Sequence, residues 1–230
     1  MLNWQDIDTV LLDMDGTLLD LHFDNYFWLQ HLPEKYASAQ NISLGSSKEA
    51  LRQRYQSQSG KLNWYCLDFW GKELELDILE LKRDIRHLIA FRPHTEHFLK
   101  HLETNNKKRV LLTNAHPDSL QLKLEHTQLH QYLDVIHSSH HFNKPKEDQQ
   151  FWPAFLKKEH LDISRTLLID DSIAVLDNAR EFGFQHLLTI SQPDSQQAPK
   201  SNENYKTIHC FTHITPNTAD SLPAQKPAPQ

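Results

Sequence analysis

Apolar residues along this chain fall into two rhythms. Short apolar runs rich in Val, Ile or Leu occur at residues 10–14, 109–112, 133–137, 166–169 and 186–190. Runs of this length, without polar alternation, predict strands covered on both faces. The last four alternate with segments of helical period at 119–127, 150–160 and 174–182. Strand and helix in turn predict right-handed crossovers and a doubly wound parallel sheet, a Rossmann-like α/β core.

About ninety residues separate the first predicted strand from the second, far more than one crossover needs. Helical period returns within that interval at 46–55 and 64–89, together with many of the chain's aromatic residues. Residues 21–88 are therefore expected to form an inserted α-helical cap domain. The core is expected to comprise 1–20 and 89–215. Beyond Ser191 the composition turns to Gln, Pro, Ser and Asn, and residues 216–230 are expected to be disordered.

Composition narrows the function. The 230 residues carry a net charge of −6, with no block of Lys and Arg. Phosphate backbones are bound by clustered cations, so nucleic acid is not an expected partner. Two cysteines, Cys66 and Cys210, are too few for a disulfide framework and predict a reducing, cytoplasmic setting. No apolar run approaches the roughly 20 residues that span a bilayer, so no membrane partner is expected. The 16 histidines form no spaced metal-ligand cluster, and His116 reads as a polar turn residue.

The chemistry sits where the apolar runs end. Ligands of an open parallel sheet gather at the carboxyl ends of its strands. Asp13 and Asp15 leave the first predicted strand there, Thr113 and Asn114 the second, and Asp170 and Asp171 the fourth. Lys144 and Lys146 follow the third. Asp13 and Asp15, two positions apart, can face one cleft, with Gly16 permitting a tight turn after them. No Lys or Arg stands near them in sequence, so their counter-charge must come from elsewhere in the fold.

In order, "DMDGT" (13–17), "LLTNA" (111–115), a lysine after the third strand and "LLIDDS" (167–172) resemble the four motifs of the haloacid dehalogenase superfamily. The resemblance spans about residues 9–190 and includes a helical insertion of the kind such enzymes use as a cap. More narrowly, "FDNYFW", "LNWYCLDFW", "KLEHT" and "PKEDQ" are similar to purine 5′-nucleotidases acting on GMP and IMP. The resemblance implies that Asp13 is a nucleophile forming an aspartyl-phosphate, and that Asp15 is the general acid and then the base. It further implies phosphate binding by the Thr113 hydroxyl and the Asn114 main-chain N–H. Mg²⁺ would be ligated by the side chains of Asp13 and Asp171 and the main-chain carbonyl of Asp15. Asp170 would orient the site, although the opposite assignment of the adjacent pair stays open. A second Asp at position 15 distinguishes the chain from the dehalogenases and points to phosphoryl transfer.

Two lysines compete for the third motif. Lys144 stands in a Lys-Pro pair, but an apolar residue six positions on, Trp152, favours Lys146. The substrate implied is a small phosphomonoester, a purine nucleotide. Its base would meet cap residues, for which Asn25, Trp28, Trp64 and Asp68 are candidates. The plainer reading of those aromatics is the cap's own core. A sugar-phosphate phosphatase or phosphomutase of the same fold competes with this reading, as does a nucleotide-binding regulator without turnover.

Overall fold

The computed structural model describes residues 2–215, and the tail expected to be disordered, 216–230, lies outside the described residues. Its apolar runs become strands β1 (Thr9–Leu12), β2 (Lys108–Thr113), β3 (Val135–Ser138), β4 (Thr166–Ile169) and β5 (His186–Ile190). A further strand, β6 (Lys206–Ile208), completes one parallel sheet of order β3-β2-β1-β4-β5-β6. β6 has no counterpart among the apolar runs. It is three residues long, exposed at its start, and takes its strand geometry from pairing with the edge of β5.

Alternation within each strand divides the core into two layers. Val10, Leu12, Leu111, Leu167 and Ile169 join one buried cluster, while Leu11, Val110, Leu112 and Leu168 join the other. Four helices supply the matching faces: α6 (Thr95–Thr104), α7 (Pro117–Thr127), α8 (Phe151–Lys158) and α9 (Ile173–Phe182), the α1–α5 labels belonging to the insertion below. Phe98, Leu99 and Leu102 of α6 and Leu120 of α7 cover the first layer. Phe151, Trp152 and Phe155 of α8 and Val175 of α9 cover the second. Both faces are therefore sealed, which is what non-alternating strands require.

The strand order reverses between β1 and β4. Register aligns Leu12 with Leu111 on one side and Ile169 on the other. Asp13 and Asp170 therefore leave their strands at one level, on either side of the reversal, where open sheets place ligands. β1 stops two residues short of the predicted 10–14. Gly16 adopts φ +85°, and the N–H groups of Leu18 and Leu19 donate to the Met14 carbonyl at 2.9 and 2.8 Å, turning the chain away from the sheet.

The insertion between β1 and β2 is helical: α1 (His22–Tyr26), α2 (Leu32–Gln40), α3 (Leu44–Gln58), α4 (Leu67–Leu74) and α5 (Ile78–Asp84). The helical period read across 64–89 is interrupted. Cys66 is extended and caps α4 by accepting the Phe69 N–H at 3.4 Å. Glu75 then ends α4 in the left-handed region at φ 54°, and Asp77 starts α5 by accepting from the Glu80 N–H at 2.9 Å. Trp28, Tyr55, Trp64 and Trp70 pack edge-on and tilted, with ring centroids 5.3–5.9 Å apart. Among the described residues, no helix is long and apolar enough to cross a membrane.

The layering makes a direct test possible. Leu168 is fully buried in the central strand β4, whereas Leu29 is 56% exposed. Leu168→Ala is expected to lower unfolding free energy by about 2–5 kcal/mol, through lost transfer energy and a residual cavity. Leu29→Ala should change it by less than about 0.5 kcal/mol in the same urea titration.

Candidate active site

The strand ends converge on one lysine. Lys146, with only 2% of its side chain exposed, reaches back beneath β2 and places its ammonium between two carboxylates. It donates to Asp13 Oδ1 at 2.6 Å, to Asp170 Oδ2 at 2.7 Å and to the Leu112 carbonyl at 3.0 Å. All three ammonium donors are thus used. Asn114 fixes the lysine's own backbone, its Oδ1 accepting the Lys146 N–H at 2.9 Å while its Nδ2 donates to Glu147 at 2.8 Å. Asn178 of α9 donates to the Lys146 carbonyl at 2.7 Å.

A second lysine serves the second aspartate. Lys123, on the buried side of α7, donates to Asp15 Oδ1 and to Asp24 Oδ2, both at 2.6 Å. Asp24 belongs to α1, and its other oxygen accepts from Lys82 of α5 at 2.7 Å. Lys82 has no further hydrogen-bond acceptor among the described residues. Its remaining N–H groups face the rings of Phe27, Phe23 and Trp28, with centroids at 4.5, 4.9 and 5.5 Å.

Electrostatics follow from this packing. Burial pushes the Asp13 carboxyl up to about 7 against the pull of Lys146, and Asp15 up to about 6 against that of Lys123. Asp171 is raised well above the usual range by burial and by Asp13 and Asp170 alongside. Burial would raise Asp24 too, but Lys123 and Lys82 outweigh it and hold that carboxyl low. Five carboxyl groups (Asp13, Asp15, Asp24, Asp170, Asp171) share the site with three ammoniums (Lys82, Lys123, Lys146), so the acidic groups outnumber the basic by two.

That excess and the donor set fit a hard divalent cation. Carboxylate oxygens of Asp13, Asp170 and Asp171 lie within 4.8 Å of one another. Both oxygens of Asp170 are already engaged, by Lys146 and by the Ser172 N–H at 2.9 Å. Asp171 has no hydrogen bond or ion pair among the described residues, so its carboxylate is free to ligate. Gly16 makes room for it, since a Cβ there would lie 2.5 Å from Asp171 Oδ2.

The profile of the haloacid dehalogenase-like hydrolases matches residues 10–189. The chain belongs to that family. It is 44% identical to the GMP/IMP nucleotidase YrfG of Escherichia coli over 93% of this chain and 96% of that one. It is similar in fold to a haloacid dehalogenase-type phosphatase from Thermococcus onnurineus, with TM-score 0.75 and 21% identity over 90% of this chain and 96% of that one. It is also similar in fold to L-2-haloacid dehalogenase from Xanthobacter autotrophicus, with TM-score 0.60 and 15% identity over 91% and 97%. The chain is a phosphomonoesterase, an assignment to which Asp15 beside Asp13 adds its own chemistry.

A cavity of about 250 Å³ gathers most of the residues singled out in the sequence of this haloacid dehalogenase-like hydrolase. Asp13, Asp15, Thr113, Asn114, Lys146 and Asp171 line its floor, and Asn25, Trp28 and Trp64 its cap side. The Thr113 hydroxyl accepts the Ala115 N–H at 3.0 Å and keeps its own proton to donate. Asn25 is partly committed, its Nδ2 donating to Asp194 at 2.7 Å. One candidate, Asp68, is not in the cavity, and neither is Lys144, the lysine the sequence disfavoured. Asp68 is 73% exposed and lies near His116 at 3.8 Å, because the break at Cys66 puts it on a different helix from Trp64. Lys144 is half-exposed and 3.3 Å from Asp148.

Lys123, Asp24, Lys82, Glu147 and Tyr65 escaped the sequence reading as site residues. Tyr65 donates to Glu147 at 2.6 Å, tying the insertion to the loop that carries Lys146. One signal was available: Ile78, Lys82 and Ile85 follow one helical stripe, and a lysine inside an apolar stripe demands a buried counter-charge. Asp24 carried no such signal in sequence.

The two candidate lysines separate by measurement. Lys146→Ala is expected to lower kcat by about 100-fold or more, since it strips Asp13 of its one buried ammonium partner among the described residues. Lys144→Ala should leave kcat nearly unchanged. Steady-state phosphate release checks the ranking.

Proposed function

We propose that this enzyme is a Mg²⁺-dependent 5′-nucleotidase hydrolysing purine nucleoside monophosphates, GMP and IMP foremost, through an aspartyl-phosphate on Asp13. The observation that carries the reading is a single cavity holding Asp13 on Lys146 and Asp15 on Lys123 beneath an indole-lined roof. The 44% identity to a GMP/IMP nucleotidase supports its substrate half. Two unpaired cysteines accord with a cytoplasmic setting.

In this reading Asp13 attacks phosphorus while Asp15 gives its proton to the departing ribose oxygen. Asp15, raised to about 6, holds a proton over the mildly acid range, and Lys123 fixes its orientation. Asp15 then takes a proton from the water that opens the acyl phosphate. The Thr113 hydroxyl and Asn114 N–H hold phosphate oxygens, and Lys146 offsets the charge crowding around Asp13. Mg²⁺, held by Asp13, Asp171 and the Asp15 carbonyl, would neutralise phosphate oxygens. Asp170 orients Lys146 and the metal ligands.

Residues 21–88 act as a cap that supplies selectivity, because the phosphate chemistry is blind to the base. Trp28 and Trp64, both lining the cavity, offer stacking faces, and Asn25 and Lys82 offer polar contacts. A spare ammonium N–H on Lys82 suits a 6-oxo group, which accepts; a 6-amino group donates and would leave that N–H without an acceptor.

Three outcomes test this. Asp13→Asn is expected to remain folded by circular dichroism and to release no phosphate. Across a nucleotide panel, kcat/KM should fall in the order GMP and IMP, then AMP, then CMP and UMP. A flat profile, or a sugar phosphate outperforming all five, overturns the purine assignment and leaves the phosphatase standing. Mg²⁺ binding should weaken between pH 8 and pH 6 and release protons. The ion needs ionised Asp13 and Asp171, and Asp13, raised to about 7, takes up protons as pH falls through that value. Calorimetry in buffers of different ionisation enthalpy reads the proton count.

A further inference from the structure

Outside the catalytic cavity, a thiol and two imidazoles meet where cap and core touch. Cys66 precedes α4 in the insertion, His116 caps α7, and His140 lies in the short turn Ser139–Phe142 after β3. One ligand atom from each lies within 4.8 Å of the other two. The histidine rings pack edge to face at 5.0 Å. His140 Nε2 is buried and has no hydrogen-bond partner among the described residues. Asp68 Oδ2 stands 3.8 Å from His116 Nε2 on the solvent side. The sequence offers no warning of this cluster, because its members come from three distant segments.

Packing alone leaves the His140 nitrogen unexplained, since buried polar atoms are ordinarily paired. A donor set of one sulfur and two imidazole nitrogens suits a borderline-soft divalent ion with tetrahedral preference. It contrasts with the all-oxygen cluster at Asp13, Asp170 and Asp171, which suits a hard ion. We propose that Cys66, His116 and His140 form a zinc-type metal site, its fourth position left to water, that fastens the cap to the core beside the substrate cavity.

Burial and the neighbouring His116 and His141 rings hold His140 down at about 4, so its ring is neutral and ready to ligate at physiological pH. His116 Nδ1 accepts the Asp118 N–H at 3.3 Å, so ligation through Nε2 requires the ring proton to move to Nδ1, that cap bond giving way to Asp118 Oδ2 at 3.6 Å. The Cys66 thiol gives its proton to solvent as the sulfur–metal bond forms. An ion so held would join residues of the insertion to the start of α7, two positions beyond Asn114.

The test titrates the full-length protein with Zn²⁺, and with Co²⁺ as a chromophoric stand-in, in excess Mg²⁺ to occupy the carboxylates. The expected result is a single equivalent bound, with thiolate-to-cobalt charge-transfer absorption. Cys66→Ser, which retains a hydroxyl to cap α4, should lose that absorption, and both it and His140→Gln should bind Zn²⁺ roughly tenfold or more weakly. Absence of Zn²⁺ binding under excess Mg²⁺ overturns the site. So does binding of equal strength in wild type and both variants, which would put the ion elsewhere.

Discussion

The ammonium of Lys146 is the charge on which the rest of the site depends. Buried among strand ends, it faces Asp13 and Asp170 at 2.6 and 2.7 Å and spends its third donor on a backbone carbonyl. Burial works against that charge, but the two carboxylates raise the lysine far above its ordinary range. Removing it would leave two carboxylates at one level of the sheet with nothing between them, a costly arrangement in a low dielectric. The loop carrying Lys146 is held accordingly, by Asn114 from β2 and Asn178 from α9.

A second buried set of charges, two carboxyls and two ammoniums, links the chemistry to the cap. Asp15 and Asp24 share Lys123, and Asp24 shares its other oxygen with Lys82. Three elements of different origin, the turn after β1, the helix α7 of the core and helices of the insertion, therefore meet in one chain of charges. Displacing the insertion separates Asp24 from Lys123 and leaves an ammonium with one carboxylate fewer. The hydrogen bonds from Tyr65 to Glu147 and from Asn25 to Asp194 add two further ties across the same boundary. Cap position and the setting of Asp15 are coupled through these contacts.

Much of the architecture was legible because it depends on local pattern. Short apolar runs such as 166–169 and 109–112 read as strands covered twice, and the segments between them carry helical period. Asp13, Thr113 and Asp171 were legible as strand-end residues within short motifs. Weak elements were not: β6 has three residues and no apolar run, so its strand state comes from the edge of β5. Asp68 misled because spacing across 64–71 assumes one continuous helix, and the extended backbone at Cys66 breaks it.

The sequence by itself determined five of the six strands, the inserted helices and the strand-end carboxylates, since hydrophobic period and turn residues act over a few positions. Tertiary structure alone decided the counter-charges. Lys146 meets Asp13 across 133 residues, Lys123 meets Asp15 across 108, and Cys66 meets His116 and His140 from another part of the chain. Such pairings follow from the register of β1 between β2 and β4 and from the seat of the insertion. Neither leaves a periodic mark on the chain, because a buried charge is made tolerable only by whatever the finished fold brings to it.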